Sequence, residues 1–120
     1  MKFMLLVHHD ESAFEQMGDE ARGELLAESL RLCHQLHGKG EYVHASPVRP
    51  AATATLVRMR EGKPFVTDGP FIETREQMAG YFLIEAKDRE EATAIATRVP
   101  GARIGTVEIR PLIEVTGLPE

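Results

Sequence analysis

The fold class this sequence predicts is α+β, and three observations carry that prediction. Strand-length apolar runs open the chain, recur late in it and close it, at residues 2–9, 80–86 and 106–115. Two stretches change to helical periodicity, at about 19–37 and 88–99. Between the two halves lies a Thr- and Val-rich alternating segment that turns at Glu61-Gly62-Lys63, the signature of a β-hairpin. The predicted order is β–α–β, a hairpin, then β–α–β, in 120 residues that make one domain over 1–120.

Each element has its own reason. In residues 2–9 one face is Phe3, Leu5, Val7 and His9 and the other is Met4, Leu6 and His8. Both are apolar until the histidines, so the strand is expected to be central and covered on both sides. Residues 10–17 are polar and irregular. From 19 to 37, Leu25, Ser29, Leu32, Cys33 and Leu36 form one helical face, and Gly38 or Gly40 supplies the stop. A short strand at 41–45 ends towards Pro47 and Pro50. The hairpin runs over 53–60 and 64–67, and Asp68-Gly69-Pro70 is a dense turn signal. Asp88 with Glu91 three residues on is a capping box for the second helix, which Pro100-Gly101 stops.

Two helices cover only one face of a four- or five-stranded sheet. The strands at 2–9 and 80–86 are apolar on both faces, so a homodimer that pairs sheet against sheet is expected. The other available cover is the loop at 68–77 folding back.

Composition narrows the function classes. Hydrophobic residues are 42% and charged residues 28%, which is globular rather than disordered. A net charge of −5 argues against a nucleic-acid partner and against a basic membrane-surface helix. No apolar run approaches a membrane span, and the run at 3–7 is too short for a signal peptide, so a cytoplasmic protein without a membrane partner is expected. One cysteine excludes an internal disulfide framework and a zinc site built on cysteine pairs.

Asp68-Gly69-Pro70-Phe71 followed by Glu73-Thr74-Arg75-Glu76-Gln77 resembles the YCII-related (DGPF domain) family. Thr53 to Arg58 before it, Gly80 to Ala86 after it, the opening Lys2 to Val7 and the closing Val107 to Pro111 fit the same pattern. The resemblance implies a ferredoxin-like βαβ(β)βαβ fold with an antiparallel sheet, two helices on one face, and a dimeric α+β barrel. It also implies two possible roles. Distant relatives are small-molecule enzymes that use a His–Asp pair, with the histidine near the start of the first helix. Gly18-Asp19-Glu20-Ala21-Arg22 holds no histidine there, so that role does not carry over. Other members are encoded beside extracytoplasmic-function sigma factors, which implies a regulatory partner instead.

The candidate catalytic residues are Asp68, His9 and His8. Asp68 is a turn former by type, and a general base if its carboxylate reaches a cleft. His8 and His9 end the first strand on opposite faces, and a histidine held by a carboxylate shuttles protons near neutrality. The sequence leaves open which of the two reaches the cleft; the reading favours His9. Candidate ligand contacts are Arg58 and Arg110, which hold anions bidentately, with Glu73, Thr74 and Tyr81. Arg110 and Arg58 have glutamate partners as their ordinary alternative. His34, His37 and Cys33 do not complete a metal shell, so neither a metal nor a cofactor is expected. The expected function is a small dimeric barrel that binds a small anionic or oxygenated molecule, with isomerase- or lyase-like proton transfer. The alternative is a non-catalytic module that contacts a sigma factor.

Overall fold

A computed structural model describes residues 1–119. The chain runs β1 (Lys2–His9), α1 (Glu11–Gln16), α2 (Asp19–Gly38), β2 (Tyr42–Pro47), β3 (Thr55–Arg60), β4 (Lys63–Asp68), β5 (Gln77–Glu85), α3 (Arg89–Ala96) and β6 (Gly105–Pro111). Four strands form one antiparallel sheet in the order β2-β5-β1-β6. With β3 and β4 set aside, this is the ferredoxin-like arrangement expected.

Alternation in the two central strands decides what goes inside. Phe3, Leu5 and Val7 of β1 and Phe82 and Ile84 of β5 are buried. They pack against Leu32 and Leu36 of α2, against Ala92, Ile95 and Ala96 of α3, and against Val99. Burying side chains of this size contributes about 1.5–3 kcal/mol each. Met4, Leu6, Tyr81 and Leu83 alternate with them, point to the other face, and are only half-buried.

Both helices flanking the core start on side-chain caps or acidic first turns. Asp88 accepts a hydrogen bond from the Glu91 backbone N–H at 2.9 Å, with Glu90 and Glu91 in the first turn of α3. Arg103 holds Glu28 with two hydrogen bonds of 3.0 and 2.6 Å, and so ties the turn before β6 to α2.

The structure differs from the sequence reading in four places. Residues 10–17 are not irregular: Asp10 caps α1 by accepting from Ala13 N–H at 3.1 Å. Six residues are too few for a helical period to be visible in a sequence. The second helix ends at Ala96 rather than 99, because the residue before Pro100 disfavours helical backbone and the chain passes into a 3₁₀ turn at Pro100–Arg103. The last strand ends at Pro111, short of residue 115, with one further hydrogen bond from Leu112 N–H to the Lys2 carbonyl at 2.9 Å.

The fourth difference is the largest. The hairpin closes as expected, through a two-residue turn with Arg60 opposite Lys63. Glu61 (φ 49°) and Gly62 (φ 75°) both take the positive φ that a type I′ turn requires. Yet β3 and β4 form a two-stranded sheet of their own and, among the described residues, make at most slight contact with any other strand or helix. They project as an arm. The Cα radius of gyration is 16.3 Å, where a compact chain of this length has about 14 Å.

At the start of β6, Gly105 faces His9 across the β1 ladder so closely that a Cβ would lie 2.0 Å from the His8 carbonyl oxygen. Backbone cannot yield as a flexible side chain can. Gly105→Ala is therefore expected to destabilise the fold by about 1–3 kcal/mol in urea unfolding. An unchanged midpoint would show that β1 and β6 are not packed this closely.

Candidate functional site

The helix-covered side of the sheet is not filled along its whole length. Towards the β2 and β5 ends that face α1, the sheet presents Ala45, Ala79 and Gly80, where further along it presents Phe82 and Ile84. Among the described residues no side chain fills the space beside these small residues. The result is a cavity of about 620 Å³ between α1, α2 and the sheet. Its walls include Leu25, Phe82 and Val99, with Ser29 and Cys33 from α2. Leu26, Leu30 and Val48 also line it and are substantially exposed, so they mark its opening. Burial raises the Cys33 thiol pKa, which keeps this residue protonated and unreactive at neutral pH.

His9 lines this cavity. The α1 turn folds Phe14 back over it, and the two rings stack at 4.4 Å with 19° between their planes. Arg22 holds that turn in place. Its guanidinium lies 5.9 Å from the Phe14 ring centre, donates to the Phe14 carbonyl at 3.3 Å and the Glu15 carbonyl at 2.6 Å, and is ion-paired with Asp19. No imidazole hydrogen bond to His9 is formed among the described residues. Burial lowers its pKa below the ordinary 6.5, against the opposing pull of Glu11, Glu76 and Asp10. His9 is consequently neutral at pH 7, the form that accepts a proton.

The carboxylates around it are braced rather than free. Glu11 accepts from the Ala51 N–H at 2.8 Å, and its own N–H donates to Gln77 Oε1 at 2.9 Å. Gln77 Nε2 donates to the Thr74 carbonyl at 2.6 Å, and Thr106 Oγ1 donates to Glu76 Oε1 at 2.9 Å. These contacts stitch the loop at 69–76 to the rim of the cavity.

The opposite face of the sheet carries a second polar set. His8 Nε2 lies 3.1 Å from Glu108 Oε1, and Arg110 donates to Glu108 Oε2 at 3.5 Å. Tyr81 hydroxyl and His44 Nδ1 are 2.8 Å apart, with the rings stacked at 5.7 Å. These pairs surround Met4, Leu6 and Leu83.

The nominated residues therefore fall into three places. His9 lines the cavity. His8 and Arg110 lie on the open sheet face, where the Tyr81 hydroxyl also meets His44, while Tyr81 contributes to the cavity wall as well. Arg58 and Asp68 lie on the arm: Asp68 stands opposite Thr55 at its base, and Arg58 sits 5.7 Å over the Phe71 ring. Glu73 and Thr74 are in the exposed loop, where Thr74 Oγ1 donates to the Glu76 carbonyl. No hydrogen bond joins Asp68 to a histidine among the described residues. Sequence reading did not nominate Phe14, Arg22, Glu11 or Gln77. One signal pointed to the first of them: Asp10 with Glu11 beside it is a helix start, and a helix there returns Phe14 to His9.

A sheet with helices on one face and a cavity beneath them defines a small α+β domain with a preformed pocket. The chain belongs to the YCII-related domain family, whose model matches residues 1–116. It is 28% identical over 114 residues to the uncharacterized protein R00369 of Rhizobium meliloti (strain 1021), covering 93% of this chain and 92% of that one. Its fold is similar to that of 5-chloro-2-hydroxyhydroquinone dehydrochlorinase (TftG) from Burkholderia phenoliruptrix AC1100, solved in complex with 2,5-dihydroxybenzoquinone. That match has a TM-score of 0.58 and 12% identity, and covers 96% of each chain. No helix among the described residues is long and apolar enough to cross a membrane.

His9 should titrate below 6.5 by NMR, and Phe14→Ala, which uncovers the ring, should move it back up. Because the folded value is the lower one, the unfolded chain takes the proton first. The contribution of His9 to stability is thus whole above about pH 6.5 and is lost as pH falls through the folded value. His9→Gln should flatten that part of the stability profile. A His9 titration at or above 6.5 would contradict the buried placement.

Proposed function

We propose that the cavity binds a small, uncharged, oxygenated ring and that His9 moves a proton on it. The observation that carries this reading is the half-buried His9 imidazole, its pKa lowered by burial, on the wall of a largely apolar cavity. The volume of about 620 Å³ falls in the range of small-molecule sites. Between an anionic and a merely oxygenated ligand, the geometry favours the second. Arg22 is the cation that lines the cavity, and its guanidinium is engaged by two carbonyls and Asp19. The fold likeness to a protein crystallised with 2,5-dihydroxybenzoquinone suggests phenolic or quinonoid rings as the first class to screen.

The chemistry would be proton transfer. Neutral His9 takes a proton from a ring hydroxyl or an activated C–H. The imidazolium then returns it at another position, which is an isomerisation, or the freed electron pair expels an anionic leaving group, which is an elimination. Ser29 Oγ, which donates its own hydrogen to the Leu25 carbonyl at 2.9 Å, would accept from a ligand hydroxyl. Asp68, Arg58, Glu73 and Thr74 take no part in this proposal, because they belong to the arm and its loop. His8 and Arg110, with the Tyr81 hydroxyl, are given instead to the open sheet face, which we propose pairs with the same face of a second copy around Met4, Leu6 and Leu83. The interaction-module alternative draws on one observation, the exposed apolar arm, and nothing on that arm is specific to a sigma factor.

Calorimetric titration of neutral phenols and hydroxyquinones against matched carboxylates tests the ligand class. Neutral rings should bind, and carboxylates at least tenfold more weakly; the reverse order rejects the reading. With a ligand that turns over, His9→Gln should lower kcat by about 10²–10⁴ while binding changes little. Unchanged turnover would remove His9 from the chemistry.

A further inference from the structure

The cavity is larger than a single ring requires. A space of about 150 Å³ lined by Leu, Ile and Phe is enough to take benzene, whereas this cavity measures about 620 Å³. One ring beside His9 would leave most of that volume without contacts. Apolar walls that face empty space forfeit their attraction.

Three observations say what fills the remainder. The first is length. Arg22, Leu25, Leu26, Ser29, Leu30 and Cys33 line the cavity from α2 and are spaced as one helical stripe. At about 1.5 Å per residue that stripe is about 16 Å long, of which a hydroxylated ring takes roughly 6 Å. The second is polarity. The charged groups of the wall, Glu11 and Glu15 of α1 with Arg22, belong to α1 and to the first turns of α2. Polar side chains elsewhere on the wall already have partners: Ser46 Oγ donates to the Pro47 carbonyl at 2.8 Å, and the Tyr81 hydroxyl meets His44. No buried side-chain nitrogen or oxygen among the described residues is left without one. The rest of the wall therefore asks for apolar atoms. The third is the opening. Leu26 and Leu30 stand one turn apart on α2 and are each 53% exposed, and Val48 is 43% exposed. An opening rimmed by such side chains gains by burying them against an apolar group.

We infer that the substrate is a hydroxylated ring carrying one apolar chain of about six to eight carbons, the length that fits the remaining ~10 Å of wall. The ring lies at His9 and Ser29, and the chain follows Leu25 and leaves between Leu26, Leu30 and Val48. This inference rests on the ring reading above and deepens it. Leu26 and Leu30 become specificity-determining residues: they touch the chain and not the reacting ring, so they select for a chain while His9 acts on the ring.

The test is a calorimetric titration of the full chain with alkylresorcinols, from resorcinol to the nonyl homologue, below the concentrations at which the long members form micelles. The His9 imidazole resonances are followed by NMR in parallel. Affinity should rise about fourfold per methylene and level off after about six to eight carbons. The double variant Leu26→Gln, Leu30→Gln changes exposed positions only and should keep its circular dichroism. It should weaken the octyl homologue by tenfold or more and leave the response to resorcinol unchanged. If resorcinol moves His9 but affinity stays flat from methyl to octyl, the chain falls and the ring reading stands. Octyl binding that the double variant does not weaken overturns the inference too. n-Octanol reads the other failure. Should it bind as tightly as octylresorcinol while no resorcinol moves His9, the ring reading falls, and the substrate named here falls with it.

Discussion

Side-chain parity in the two central strands is the constraint on which the rest of the structure depends. Phe3, Leu5 and Val7 of β1 must stand on the same side as Phe82 and Ile84 of β5, because that side alone has helices to cover it. A slip of one residue in either strand would send the whole buried set to the other face. The same parity assigns the chemistry. It sends His9 under α1 and α2, and it sends His8 to the open face beside Glu108. The register shift between Val7 and His8 falls where the strand passes from core to site, a position at which irregular pairing commonly re-aims a side chain.

The cavity follows from a change in residue size along that buried face. Where β5 presents Phe82 and Ile84, α2 seats Leu32 and Leu36 on them and the interior is closed. Where the sheet presents Ala45, Ala79 and Gly80, α2 has nothing to seat on, and Leu26 and Leu30 stay half in solvent. An unfilled apolar space forfeits contact energy, and a chain selected for stability alone would fill it. Its persistence beside the half-buried His9 is what distinguishes this end of the molecule from the closed core at the other end.

Much of the fold was legible because it rests on short-range patterns. The alternation in β1 and β5, the helical stripe ending at Leu36, the Asp88 cap and the Glu61-Gly62 turn are each set within a few residues of sequence. The site was legible only in part. His9 and His8 could be nominated, since strand parity separates them, but no local pattern says which face receives helices. Phe14 and Arg22 escaped because a six-residue helix leaves no period to read. Asp68 looked like a site residue because a turn can present its carboxylate to a cleft, and Arg58 because an arginine within a strand can hold an anion. Their separation from the cavity comes from where the hairpin stands, and that is a matter of tertiary packing.

The sequence by itself determined the secondary elements, their order and the apolar faces they carry, because backbone sterics, capping and alternation act over a handful of neighbouring residues. The tertiary structure alone decided that α1 folds Phe14 onto His9, that α2 leaves a cavity over the small residues of β5, and that the hairpin projects instead of joining the sheet. Those outcomes depend on which surfaces meet across long stretches of chain, and meeting is a competition among packings that no local window contains.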